Sequence, residues 1–149
     1  MSARGREWIA ANLPHQGTMS LLAEVVDWDA QRLRARAASH RDPGNPLRRG
    51  AELPIACAIE YGAQAVAAHG ALVSEAPSGA GFLASVRSVA FHGTRLDDVR
   101  EDLDIEVEQI GGGAGGLLYR FAIRAGARML AEGRLAIVLG AARFPRDAA

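Results

Sequence analysis

The chain is predicted to be α+β, with one antiparallel sheet of about six strands wrapped round a single long central helix and a short helix ahead of it. Three observations predict this. Residues 53–72 are apolar round most of a helical circumference, which suits a helix enclosed by other structure better than one lying on a surface. Two segments before that helix and four after it have the alternation and length of strands. A sheet that turns one face to the helix and the other to water is the simplest way to enclose it.

Taken in order, residues 4–13 form a short helix with Trp8, Ile9 and Leu13 on one side, and Pro14 stops it. Residues 21–28 make the first strand. After an Asp29-Ala30 turn comes the second, residues 31–37, in which Leu33, Ala35 and Ala37 alternate with Arg32, Arg34 and Arg36. Residues 39–50 contain Pro43, Gly44 and Pro46 and form a loop leading to the central helix, with Pro54 suited to its first turn. Residues 75–79 connect to the last four strands, at 82–91, 103–109, 118–123 and 129–139. The glycines of 111–116 are followed by strand alternation, so they make a flexible hairpin turn and not a phosphate loop, which would open a helix. Residues 1–142 form one domain, and residues 143–149 are expected to be a frayed, flexible tail.

Bulk properties exclude several classes of function. Basic and acidic residues balance at 17 each, with no basic stripe interleaved with aromatics, so no nucleic-acid partner is expected. No apolar run is long enough to cross a membrane and the N-terminus has no secretory core, so a cytoplasmic protein is expected. The single cysteine, Cys57, lies in an apolar stretch and reads as inert core.

Glu60 is the residue that points to chemistry. A carboxylate in so apolar a helix must be paired, held neutral or turned towards a cavity. Gln64 stands one turn later, and Leu53, Ala56, Cys57, Ala63 and Ala67 share that sector. Most are small, leaving a lane for a slender ligand beside a carboxyl and an amide. The bulkier Ile55, Ile59, Val66 and Leu72 fall on the other side, where they can pack on the sheet. Glu60 could equally be a structural carboxylate, and Gln64 taken alone reads as structural.

The element order, with residues Leu13-Pro-His15 before the first strand and Ile59-Glu60 followed by Ala63-Gln64 in the helix, resembles the hot-dog fold of the 3-hydroxyacyl-acyl carrier protein dehydratases. More narrowly, Leu13-Pro-His-Gln-Gly-Thr-Met-Ser-Leu-Leu22, Asn45-Pro-Leu-Arg-Arg-Gly50 and Ile59-Glu-Tyr-Gly-Ala-Gln-Ala-Val-Ala-Ala-His-Gly70 resemble the dehydratases found with aryl polyene biosynthesis. The resemblance implies a substrate carried as a thioester on the phosphopantetheine of an acyl carrier protein, with no metal or other cofactor. It implies loss of water to give a trans-2-enoyl thioester. It also implies a homodimer, or a heterodimer with another hot-dog subunit, joined sheet edge to sheet edge with the active site at the boundary.

On this reading Glu60 is the acid for the departing hydroxyl. Ala56, Cys57, Ala63 and Gln64 line the substrate, and backbone N–H groups around residues 55–57 polarise the thioester carbonyl. The partner base is a histidine. The family's best-known members carry it in a His-Phe-Pro-Gly segment before the helix, and residues 45–53 here contain none. His15, in the matched motif, is the first candidate and His40, opening the loop to the helix, the second. His69 lies half a circle from Glu60 and reads as a core or sheet-facing histidine, and His92 as a surface one. Arg48 and Arg49, with Arg41, are candidates for steering an acidic carrier protein. Two other functions fit the same fold: an acyl thioesterase, and a catalytically silent subunit that partners a competent one.

Overall fold

A computed structural model describes residues 2–75, 82–113 and 115–138. Helix α1 spans Arg6–Asn12 and α2 spans Ala58–Ser74; the strands are β1 Glu24–Trp28, β2 Arg32–Ala37, β3 Phe82–Phe91, β4 Leu103–Gly113, β5 Gly116–Ala125 and β6 Arg128–Val138. The six strands form one sheet in the order β1-β2-β4-β5-β6-β3, with every neighbouring pair antiparallel. β3 therefore crosses the sheet and lies on its far edge, beside the last strand.

Alternation along the strands sets which face meets α2. Leu33, Ala35 and Ala37 of β2 pair with Val107, Ile105 and Leu103 of β4, and Val107 and Ile105 pair in turn with Phe121 and Ile123 of β5. All of these side chains are fully buried. The intervening residues face water, where Arg32 meets Glu108 at 3.3 Å, Arg34 meets Asp104 at 3.5 Å and Arg36 meets Glu24 at 3.2 Å. The period of two thus separates an oily floor from a ladder of exposed charge.

α2 can lie close on that floor because Gly62 has no side chain. A Cβ there would stand 3.3 Å from the Phe121 ring and 3.4 Å from Leu135. His69, expected in the core, is fully buried: its Nε2 donates to the Asp29 carbonyl at 2.9 Å, and its Nδ1 accepts from the Tyr119 hydroxyl at 2.7 Å. Burial pushes the Tyr119 hydroxyl up to about 12, so it remains a donor.

Several boundaries differ from the sequence expectation, each for a local reason. Pro54 is extended, with ψ at 148°, and precedes a 3₁₀ turn at Ile55–Cys57, so α2 starts at Ala58 and Cys57 lies just outside it, half-buried. Leu53 is held outside the helix by its bonds to the Leu96 N–H and the Asp97 carboxylate. The first strand begins at Glu24, since the backbone of residues 21 and 22 is bonded to side chains of other elements. The glycines at 111–113 continue β4 and pair with residues 116–118 of β5, so the hairpin turn is shorter than expected. Ile59 is only partly buried, because the sheet-facing side of α2 is narrow and made largely of small residues. The expected connector beyond Glu75 and the expected tail at 143–149 lie outside the described residues.

Candidate active site

The entry to α2 is braced from one side. The Asp97 carboxylate accepts the Leu53 N–H at 2.8 Å, Leu96 N–H donates to the Leu53 carbonyl at 2.8 Å, and Ile55 N–H donates to the Thr94 carbonyl at 3.0 Å. The Arg95 guanidinium beside Asp97 holds that carboxyl far below the usual carboxylate range, so the brace is ionised at all ordinary pH values. This fixes where α2 begins and so places Glu60 in its first turn.

Glu60 is half-buried, and among the described residues it makes no hydrogen bond and no ion pair. Its electrostatic neighbours are His15 and Cys57. His15 is half-buried on the 13–22 loop, with Nδ1 shut away from any protein partner among the described residues. Burial pushes the imidazole below its ordinary value of 6.5, and the nearby Glu60 carboxylate pulls the other way. Burial pushes the Cys57 thiol up, Glu60 adds to this, and Arg49 opposes it. A raised thiol pKa leaves Cys57 un-ionised, in keeping with its inert reading. A carboxyl and a neutral imidazole thus share one neighbourhood, which is what general acid and base work needs.

Exposure along the 3₁₀ turn and α2 picks out one side. Ala56 is exposed, and Cys57, Glu60, Ala63 and Ala67 are half-buried, so these side chains form a shallow strip along one side. Gln64 does not belong to that strip. It is fully buried, its Oε1 accepts the Leu21 N–H at 2.9 Å, and its Nε2 donates to the Met19 carbonyl at 2.6 Å. The expectation that Gln64 contacts substrate is therefore corrected: both ends of its amide are occupied by the loop that carries His15.

His40, the rival base, is set apart from Glu60. It is fully buried, and its Nε2 donates to the Val99 and Glu101 carbonyls at 3.1 and 3.0 Å, which leaves the lone pair on Nδ1, buried and without a protein partner among the described residues. Its charged neighbours are Arg41 and Asp102, and Glu60 is not among them. His92 is at the surface beside Glu132, at 3.1 Å.

The three loop arginines separate in the same way. Arg41 is paired with Asp102 at 2.5 Å and donates to the Arg100 carbonyl. Arg48 donates to the carbonyls of His40, Asp42 and Ala51, and so ties the 40–51 loop to itself. Arg49 is exposed, with its side chain in no ion pair among the described residues. Of the backbone donors expected to polarise a carbonyl, those of Ile55 and Cys57 are already bonded to the Thr94 and Pro54 carbonyls.

Sequence reasoning missed a polar network beneath the site. The buried Tyr61 hydroxyl meets Ser39 Oγ at 2.8 Å and Asn45 Nδ2 at 3.2 Å, while Ser39 Oγ donates to the Leu21 carbonyl at 2.8 Å. The signal was available, because a tyrosine in a buried helix must find a partner for its hydroxyl. Among the described residues no cluster of metal-ligating side chains exists, and no helix is long and apolar enough to cross a membrane. A cavity of about 640 Å³ opens between α1, the turn after β1 and the far end of α2, lined by Trp8, Trp28 and Ala71. It lies at least ~16 Å along the helix from Glu60, and is not part of this site.

Solved structures similar to this one share its fold. The dehydratase heterocomplex ApeI:P from Xenorhabdus doucetiae matches with a TM-score of 0.78 at 23% identity, over 89% of this chain and 90% of that one. Zebra fish thioesterase superfamily member 2 matches at 0.63 with 14% identity, over 90% and 92%. A mutant thioesterase from Pseudomonas aeruginosa matches at 0.59 with 9% identity, over 79% and 80%. The chain therefore has the hot-dog fold. No curated protein sequence matches it significantly. Residues 8–143, which include Glu60, His15 and the whole of the sheet, match the family described as ApeP-like, ApeP dehydratase, and the chain belongs to that family.

Proposed function

We propose that this protein works as a dehydratase on 3-hydroxyacyl thioesters carried by an acyl carrier protein, in aryl polyene or related fatty acid and polyketide synthesis. The observation that carries this reading is the juxtaposition of Glu60, which has no ion-pair or hydrogen-bond partner among the described residues, with His15, held neutral by burial. Family membership supports the reaction class.

In the forward reaction neutral His15 takes the C2 proton, and the electron pair passes through an enolate whose oxygen is met by the N–H of exposed Ala56. The enolate pair then forms the C2–C3 double bond as the C3–O bond breaks, and Glu60 gives its proton to the departing hydroxyl. Water leaves, and transfer of a proton from His15 to Glu60 resets the pair. The phosphopantetheine arm would run along the strip of Ala56, Cys57 and Ala63, while Arg49, the loop arginine left unpaired, would attract an acidic carrier protein from the cytoplasm.

A single protomer leaves that strip shallow and half-exposed. A second hot-dog subunit packed over it would turn it into an enclosed tunnel, and a partner subunit is in keeping with the similar ApeI:P protein, a dehydratase heterocomplex. The absence of a histidine in residues 45–53 also favours a second reading, in which this chain is the silent subunit and its partner performs the chemistry.

The test is direct. Incubated with a 3-hydroxyacyl carrier-protein thioester, the protein, alone or with its hot-dog partner, should yield the enoyl thioester, and Glu60→Gln should slow this by about 10²- to 10⁴-fold without unfolding. Release of free acid and thiol would identify a thioesterase instead. Full activity of the complex after Glu60→Gln would identify the silent subunit.

A further inference from the structure

We infer that Gln64 is a positioning residue that sets the His15 imidazole against Glu60 by clamping the backbone of the 13–22 loop to α2. The inference rests on the dehydratase reading only for its catalytic consequence; the geometry is independent of it.

The loop is anchored in the core at its ends, by Leu13 on one side and Leu21 and Leu22 on the other, and its middle has little else to hold it. After α1 the chain passes Pro14 and His15, turns at Gly17, where φ is +59°, and makes one 3₁₀ turn at Gly17–Met19. Gln16, Gly17 and Thr18 are exposed, so packing does not fix this stretch. Its polar tethers are at its far end: Gln64 grips both sides of the Met19 to Leu21 backbone, Arg6 bonds Ser20 Oγ at 2.9 Å and the Leu22 carbonyl at 2.7 Å, and Ser39 bonds the Leu21 carbonyl. Of these, only Gln64 belongs to the helix that carries Glu60, one turn away on the same side.

The two bonds have complementary polarity. The amide oxygen takes an N–H and the amide nitrogen gives to a carbonyl, so the side chain acts as one more pair of rungs between loop and helix. Because Gln64 and Leu21 are fully buried, loss of the bond between them leaves the Leu21 N–H unsatisfied. A residue without both functions lets the loop shift and carries His15 with it, and proton transfer tolerates little displacement.

Nuclear magnetic resonance titration of the four histidines reads this without any assay of activity. In the wild-type protein, Glu60→Gln should lower the His15 midpoint, because the carboxylate that supports its protonation is gone. In a Gln64→Leu background the same change should have less than half that effect, while His40, His69 and His92 titrate as before. An undiminished effect of Glu60→Gln on His15 would overturn the inference. Should Gln64→Leu fail to fold, Gln64→Glu allows the same comparison at pH values where its carboxylate is ionised. The bond to Leu21 is then kept and the donor to Met19 lost, and an unchanged coupling would again overturn it.

With active enzyme, alone or in its hot-dog complex, Gln64→Leu should reduce kcat about 10- to 100-fold with KM changed less than about threefold, the pattern of misplaced chemistry and not of lost binding. A rise in KM at constant kcat would return Gln64 to substrate binding. If the wild-type protein performs no elimination in either form, the dehydratase reading fails while the titration still decides the role of Gln64.

Discussion

His15, His40 and His69 are all displaced towards the neutral form, each chiefly by burial. The sign of the consequence follows from which state binds protons first. As pH falls below 6.5 the unfolded chain protonates these rings while the folded one resists, so stability is lost between 6.5 and the lower folded values. Urea unfolding from pH 8 to pH 5 should show the midpoint falling in that window. The carboxylates Asp97 and Asp102, held low by arginines, contribute a separate loss only below the usual carboxylate range. Elimination should also decline as pH drops through the His15 value, below 6.5; a rate that rises on acidification would remove His15 as base. At this scale Glu60 was legible in the sequence because an ionisable group interrupts an apolar helix. Gln64 and His40 were not, because their partners are backbone atoms 43 to 61 residues away, which no local pattern records.

The elements were legible in proportion to how far their periodicity was set by burial. β2, with arginines alternating against small apolar residues, was expected at almost its observed bounds, and β3 at its full span. The start of α2 was misplaced because it is determined by the Asp97 brace and the bridge between Pro54 and Arg95, both non-local. Glycine positions inside strands carry information of a similar kind. In β6, Gly133 lies where a Cβ would stand 2.9 Å from Val89 Cγ2, 3.0 Å from Val89 Cα and 3.1 Å from the Phe121 ring. β3 makes a register shift opposite this point, between Arg87 and Ala90, with Ser88 at a φ of 51°. The missing side chain thus lets the irregular edge strand and the ring beneath α2 close on the same spot. Gly133→Ala should destabilise the fold by about 1–3 kcal/mol, as overpacking does. Thermal unfolding checks this, and a neutral result would show that β3 can move aside freely.

The two edges of the sheet are treated differently. β1 is five residues long, is interrupted by a register shift, and has part of its outer side covered by Arg4, whose N–H and carbonyl pair with Val25 at 3.0 and 2.8 Å. β3 is ten residues long, and Val86 and Phe91 are 37% and 39% exposed along it. A long strand edge with exposed apolar side chains invites pairing, and proteins that stay single blunt such edges. A second subunit that extends the sheet at β3 would answer this open edge, and we expect the same subunit to cover the strip beside Glu60. We therefore expect the protein to pair through β3, with itself or with a second hot-dog subunit, and Val86→Glu combined with Phe91→Glu to weaken that pairing at least 100-fold, about 2.7 kcal/mol. Light scattering on the eluting species, alone and mixed with the partner, reads the change, and far-ultraviolet circular dichroism should show the fold retained. Elimination should fall with the loss of the complex. A doubly substituted protein that still assembles at wild-type strength would place the interface elsewhere and leave the site to be enclosed by some other face.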